Sequence, residues 1–349
     1  MNTTIVVGGG IAGCTITYTL LQRGHTVVHI NNNTLPSASA VAAGLYNPIV
    51  FKRLVPTWLA TDVVPYCKQF YKHIEQLTHT QFHYDIAILK LLTEQQEVDL
   101  WHKKQQDPET SRWLGNVATG NIDGIHNKHA GKGTVNESGW VNVPMLLQAY
   151  TAYFSTQHNY TAINEQFDYN QLTITPQTIT YKGLQAQRIV FAEGVYVSNN
   201  PFFKHIIMKP TKGDVFKIEA DLCQDYVLNK GCFVIPYAPQ KFIVGSTYNW
   251  QDTSWDASLE GKAELLTKVN DLITTPIIIT EHTAGVRPTT HDRRPTLGTH
   301  HTHKNMFVFN GLGTKGVLLA PYLANHLAQY MHNEIELMHE VNVSRYKAL

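Results

Sequence analysis

The chain has 349 residues, enough for two domains or one large one. It is 43% hydrophobic and 16% charged, as expected of a globular protein, and a formal net charge of +1 gives no global field that would make nucleic acid an expected partner. No apolar run approaches the roughly 18 residues of a membrane span. The four cysteines, Cys14, Cys67, Cys223 and Cys232, form no C-x-x-C pair and read as reduced thiols. No basic leader precedes the first apolar run, so the expected location is cytoplasmic.

Thr4–Val7 reads as a short buried strand and runs into Val6-Val7-Gly8-Gly9-Gly10-Ile11-Ala12-Gly13. Apolar or aromatic residues then recur at Ile11, Cys14, Tyr18 and Leu21, a helical spacing that stops at Gly24. Thr26–Ile30 reads as the next strand. Strand, glycine turn, helix and strand within about 30 residues make one βαβ unit, and Gly8, Gly10 and Gly13 fit G-x-G-x-x-G. In such a unit the first glycine allows a tight turn, the second lets a pyrophosphate reach backbone, and the third lets helix and strand pack closely. Helix-start N–H groups favour the phosphate charge. The competing reading is a strand–turn–helix without ligand. The acid that usually meets the ribose at the end of the second strand is replaced by Asn31-Asn32-Asn33. An amide can still bond a hydroxyl. No arginine follows the strand before Arg53, which disfavours a 2′-phosphate.

Further on, the spacing predicts helices over 61–77 and 93–104, a Gly- and Asn-rich loop over 115–139, and a helix over 143–154. Leu172–Thr175 and Thr178–Tyr181 predict a hairpin or meander, and Arg188–Ala192 a buried strand. The stretch 206–250 is strand-rich, with runs at Asp214–Ile218, Phe233–Ile235 and Phe242–Val244. A helix is expected over 259–273. The chain ends as it began, with a strand at Met306–Phe309, a glycine turn at Gly311–Gly316 and a helix over 317–331. His300, His301 and His303 form the tight cluster among 18 histidines. No cysteine or carboxylate stands at ligand spacing, so a solvated loop is expected there and no metal.

Several segments in order carry a family resemblance: VVGGGIAG, SASAVAAGLYNP (Ser37–Pro48), RIVFAEG (Arg188–Gly194), KGDVF (Lys212–Phe216), FVIPYAPQKFIVGST (Phe233–Thr247), GVRPTTHDRRPTLG (Gly285–Gly298) and NGLGTKGVLLAP (Asn310–Pro321). Together they resemble the FAD-dependent amine and amino-acid oxidases, which include D-amino-acid, glycine and sarcosine oxidase. The resemblance implies an α/β (α+β) protein. A discontinuous Rossmann-like FAD domain over 1–85, 143–205 and 280–349 would join a mainly antiparallel substrate domain over 86–142 and 206–279. It implies FAD contacts at Gly8, Gly10, Ile11, Ala12 and Gly13, at Asn31 and Asn32, and at Ser39, Ala43, Gly44 and Leu45. Further contacts are implied at Phe167 and Gly194, and at Gly311, Gly313, Thr314, Lys315, Gly316 and Val317. The small-residue stretch Ser39–Leu45 can lie flat on a planar ring, the alternative being an Ala-rich helix start. N–H groups over 311–317 would stabilise reduced flavin.

The resemblance makes Arg287 the grip on a substrate carboxylate, through a guanidinium fork. The alternative is a structural arginine paired with an acid such as Asp292. Tyr46 and Tyr248 are expected to line the site. Phe233 stands where glycine oxidase has a tyrosine, Thr314 where it has an arginine, and Ile243 where sarcosine oxidase has a lysine. Glycine and sarcosine are therefore not implied as substrates, nor is fast reaction with oxygen. The implied chemistry is hydride transfer from an amine or amino-acid carbon to flavin N5, then hydrolysis of the imine. Oxygen or another acceptor would reoxidise the flavin, and no side-chain base is required. A tRNA-modifying oxidase acting on carboxymethylaminomethyl uridine and a non-catalytic FAD-binding module are the alternatives.

Overall fold

The computed structural model describes residues 2–346. A six-stranded sheet runs in the spatial order Tyr160–Asn164, Thr26–Asn31, Thr3–Val7, Arg188–Phe191, Met306–Asn310, Thr296–Thr299. All neighbours are parallel except the last pair. The central strands are buried on both faces, and their alternation sorts side chains between two layers. Val6, Val27 and Val190 face a helical layer, while Ile5, Val28, Ile189 and Phe191 face the meander Leu172–Ile174, Ile179–Tyr181, Leu184–Ala186. Six α-helices follow in chain order: α1 Ile11–Gln22, α2 Ala60–Thr78, α3 Gln95–Gln105, α4 Val143–Ser155, α5 Leu259–Asn270 and α6 Gly316–Met331. Helices α1, α2, α4 and α6 pack on one another to form the helical layer.

The second sheet has eight strands, in the order Ile277–Arg287, Thr211–Ala220, Lys241–Gly245, Cys232–Ala238, Val227–Lys230, Ile88–Leu92, Gly131–Val135, Leu114–Ala118. It is antiparallel except where Val227–Lys230 lies beside Ile88–Leu92. Phe216, Ile218, Val234 and Val244 pack under α5 with Leu265 and Val269. The opposite parity, Gly213 and Val215, turns to the first sheet and to the cavity described below. Strand Ile277–Arg287 runs through residue 280, where the sequence reading places a domain boundary.

Most expected elements appear within a few residues. Two differ. The expected loop over 115–139 contains strand Gly131–Val135 and most of Leu114–Ala118. Their glycines are there for packing: a Cβ on Gly133 would come within 2.6 Å of the Trp101 ring. The 259–273 helix stops at Asn270, with Asp271 as its C-cap. Of the expected hairpin or meander the structure has the meander, with Leu184–Ala186 as its third strand.

Candidate active site

A cavity of about 1050 Å³ opens between the two sheets. That is the top of the usual range for a ligand site, about 300–1,000 Å³. It is bordered by Val7, Ala192 and Asn310, at the carboxyl ends of parallel strands, where α/β sheets bind their ligands.

One end is made mainly of backbone. Gly8 has φ +110°, and a Cβ there would lie 2.3 Å from the Ala192 carbonyl oxygen. A Cβ on Gly13 would lie 1.7 Å from the Gly8 oxygen, so Gly13 packs α1 onto the turn and does not itself reach the cavity. Helix α1 begins at Gly10, whose position makes no side-chain cap of its own, and has no acid in its first turn. The same holds for α6, whose N-cap is Lys315. Two helix starts on one cavity, neither with an acid in its first turn, suit an anionic or electron-rich ligand.

The side chains around these turns brace them. Asn31 Oδ1 accepts from Gly9 N at 2.7 Å, and Asn31 Nδ2 donates to Asn33 Oδ1 at 2.6 Å. Asn32 Oδ1 accepts from Thr34 N and Thr34 Oγ1. The expected ribose contacts of Asn31 and Asn32 are thereby limited to their remaining amide donors. Ser39 Oγ accepts from Ile11 N at 3.0 Å, which removes the Ile11 N–H from the set free for phosphate. Ser39–Leu45 is not a helix start. Trp140 Nε1 donates to Ala43 O at 2.7 Å, and Gly44, at φ +78°, lets the chain press against the Val141 carbonyl. Phe167 lines the wall, stacked on Tyr181 at 4.4 Å. Gly194, Gly313, Thr314, Gly316 and Val317 also border the cavity. Gly311 does not: its φ of +73° makes a turn packed on Thr290.

One charged side chain at this end escaped the sequence reading. Glu193 lines the cavity and accepts from Tyr169 Oη and from Asn200 Nδ2 at 2.8 Å. Burial pushes its carboxyl up to about 7. The available signal was an acid placed directly after a buried apolar strand. Lys315, expected among the FAD contacts, borders the cavity with a half-buried ammonium that donates to Thr57 Oγ1 at 3.2 Å. Burial, with Arg294 near, pushes it down to about 8.

The other end is made of side chains on the second sheet. Arg287, at the end of its strand, lines the cavity with Val215, Phe233, Ser246 and Tyr248. Its Nη2 donates to Ser246 Oγ at 2.7 Å and Thr247 O at 3.3 Å, and its Nη1 to Lys212 O at 3.2 Å. A Cβ on Gly213 would lie 1.9 Å from Arg287 Nη2, so the glycine of the KGDVF segment makes room for the guanidinium. The Tyr248 ring stacks on it at 4.6 Å. Among the described residues Arg287 makes no salt bridge. Asp292, offered above as its partner, pairs with Arg345 instead. Desolvation lowers the pKa of Arg287, but an arginine stays charged. Tyr46 borders the cavity but is only 2% exposed, and its hydroxyl is hydrogen-bonded with His83 Nε2 at 2.9 Å. It is therefore no free substrate ligand.

Among the described residues no group of three or more His, Cys, Asp or Glu is placed to hold a metal. His300 Nδ1 accepts from Thr302 N and His303 N, so the histidine cluster folds its own turn. No helix among the described residues is long and apolar enough to cross a membrane.

Residues 3–330 match the family model described as FAD dependent oxidoreductase. The chain belongs to that family. The cavity fits FAD in size, in its glycine turn and in the two helix starts that face it. The tRNA 5-methylaminomethyl-2-thiouridine biosynthesis bifunctional protein MnmC of Marinobacter nauticus is 25% identical over 93% of this chain and 54% of its own length. Glycine oxidase of Geobacillus kaustophilus is 26% identical over 90% of this chain and 89% of its own. The chain thus spans about half the length of the MnmC relatives it matches. The crystal structure of the Geobacillus glycine oxidase superposes with a TM-score of 0.81 at 21% identity, covering 100% of both chains. Iminodiacetate oxidase of Chelativorans sp. BNC1 gives 0.79 at 17%, covering 98% of both. These superpositions establish the fold.

Proposed function

We propose that this FAD-dependent oxidoreductase oxidises the C–N bond of an amine that carries a carboxylate, giving an imine that water hydrolyses to a carbonyl compound. The observation that carries the reading is Arg287: a half-buried guanidinium at one end of the cofactor cavity with, among the described residues, no acid paired to it. A carboxylate placed there gains charge-assisted bonds and neutralises a charge the protein leaves open. The two sheets correspond, on this reading, to the FAD and substrate domains.

Bound FAD supplies a hydride acceptor. The diphosphate is assigned to the turn Gly8–Ala12, the dinucleotide's outer part to Asn31, Asn32, Phe167 and Gly194, and the flavin to Ala43–Leu45 and Gly313–Val317. The start of α6 and the Lys315 ammonium would favour negative charge on the ring beside them. Arg287 fixes the substrate's carboxylate, which fixes the carbon to be oxidised. Val215 and Phe233 bring no polar atom to that carbon and keep water from it.

The test is an anaerobic screen of amines and amino acids that follows bleaching of the flavin band, which isolates the reductive step from any acceptor. Bleaching by an amino acid, and weaker bleaching by its decarboxylated analogue, is expected. A flavin that no amine bleaches overturns the proposal.

The match to the MnmC relatives favours a second reading, in which the carboxylate-bearing amine is an arm on a tRNA uridine. Salt-sensitive binding of tRNA, and bleaching by tRNA bearing that arm but by no free amino acid, would select it.

A further inference from the structure

We infer that the loop between strand Lys241–Gly245 and α5 is the specificity element of this site, and that it selects amino acids carrying a planar aromatic ring. The inference rests on the amine-oxidation reading above and goes one step further, to the substrate's substituent.

The loop wraps Arg287. Ser246 bonds the guanidinium and the Tyr248 ring stacks on it at 4.6 Å. Tyr248 also stacks on Trp250, with centroids 6.1 Å apart and planes at 26°. Tyr248 is 50% exposed and Trp250 60%. Further along the same loop, Trp255 stacks on Tyr196 at 6.3 Å and 19°, and both of these rings border the cavity. Large aromatic surface left in water next to an unpaired cation is what a ligand with a charged head and a flat tail would cover.

The remaining chemistry of this end points the same way. Val41, Val215 and Phe233 are apolar, and Arg287 is its one charged side chain among the described residues. The two acids lining the cavity lie at the cofactor end and have partners of their own. Glu165 is bonded by Lys182 and Tyr181, and Glu193 by Tyr169 and Asn200. The site therefore offers one contact for a carboxylate and none for a basic or acidic substituent.

The aromatic loop is also held in place. The Lys212 side chain is 1% exposed and its Nζ donates to Asp252 and, at 2.9 Å, to Ser254 Oγ. The Lys212 backbone exchanges two hydrogen bonds with Asn249, at 2.8 and 3.0 Å. Asn249 Oδ1 accepts from Gln251 N and Asp252 N. Rings fixed before binding lose little freedom when a substrate ring meets them.

The experiment compares anaerobic flavin reduction by glycine, alanine, N-benzylglycine and both enantiomers of phenylalanine, in the holoenzyme and in Tyr248→Leu and Trp255→Leu. Flavin absorbance and melting temperature check that each variant is loaded and folded. At least one ring-bearing acid is expected to exceed glycine and alanine by about tenfold in apparent second-order rate. Each variant is expected to cut that ratio by about three- to tenfold, the worth of one aromatic contact. N-benzylglycine against phenylalanine tells whether the ring sits on the nitrogen or on the α-carbon. Glycine or alanine matching the ring-bearing acids, or a ratio unchanged in both variants, overturns the inference and leaves the amine-oxidation reading standing. No bleaching by any of the five compounds overturns the inference as well, and the wider amine screen then decides the amine-oxidation reading.

Discussion

The two ends of the cavity are built from different materials. The cofactor end is backbone: a glycine turn, the starts of α1 and α6, and a small-residue segment pinned by Trp140. The substrate end is side chains: Arg287, Phe233 and an aromatic loop, delivered by antiparallel strands whose alternation sends Gly213 and Val215 inward and Phe216 and Ile218 to α5. Backbone N–H groups and helix ends bind phosphate whatever the surrounding residues, so such an end can stay the same while the chemistry beside it changes. A side-chain end can be respecified residue by residue.

The comparison is broken most strongly at its backbone end. Gly10→Val puts a branched side chain where even a Cβ would lie 3.1 Å from Ser39 Oγ, at the helix start assigned to the diphosphate. The expected result is a folded chain by circular dichroism that has lost at least about 100-fold in FAD affinity, measured by flavin retention on gel filtration. Full occupancy would remove the diphosphate from this turn.

The substrate end should fail separately. Arg287→Ala is expected to keep its FAD and to lose about 10- to 100-fold in flavin reduction by an amino acid, with a smaller loss for the decarboxylated amine. Arg287→Lys should recover part of the loss, because an ammonium lacks the planar fork. Gly213→Ala reaches the same phenotype from the neighbouring strand, since its new methyl must displace Nη2 from 1.9 Å. Equal slowing of acid and amine, together with loss of flavin, would make Arg287 a fold residue.

A smaller effect sharpens the picture of the loop. Lys212→Met removes the clamp on Asp252 and leaves that carboxylate in water, so no buried charge is orphaned. An increase of about three- to tenfold in KM with kcat nearly unchanged is expected, along with easier acrylamide quenching of tryptophan fluorescence. Unchanged quenching and KM would mean that the loop holds itself.

The smallest effect concerns a proton at the cofactor end. Burial raises the Glu193 carboxyl from 4.5 to about 7, so its neutral form is the one the fold favours. The stability it contributes is fully present below about 4.5 and is lost as pH rises through about 7. Glu193→Gln keeps a neutral side chain at every pH. The melting temperature of the variant minus that of the wild type should therefore rise by a few degrees between pH 6 and 8.5. A flat difference across that range would show that the carboxylate is already ionised or solvated.

Sequence alone determined the parts governed by neighbours a few residues apart. The βαβ unit over residues 3–31, the turn glycines and helices α1, α2, α4 and α6 were legible because φ sign, capping and 3.6-residue spacing act within one or two turns of chain. The order of the family's motifs gave the fold and FAD in the same way. Everything that depended on which strand lies beside which was decided by the tertiary structure. Gly131–Val135 looked like a loop until Trp101 came down on Gly133. Ser39 caps α1 from 28 residues away, and Asn31 holds Gly9 from 22. Asp292 is close to Arg287 in sequence yet is taken by Arg345, 53 residues on, while strand register sets Arg287 opposite Thr211 and beneath Tyr248. Chain proximity fixes backbone shape; the pairing of side chains across sheets sets charge, burial and exposure at the site, and these exist only once the chain has closed on itself.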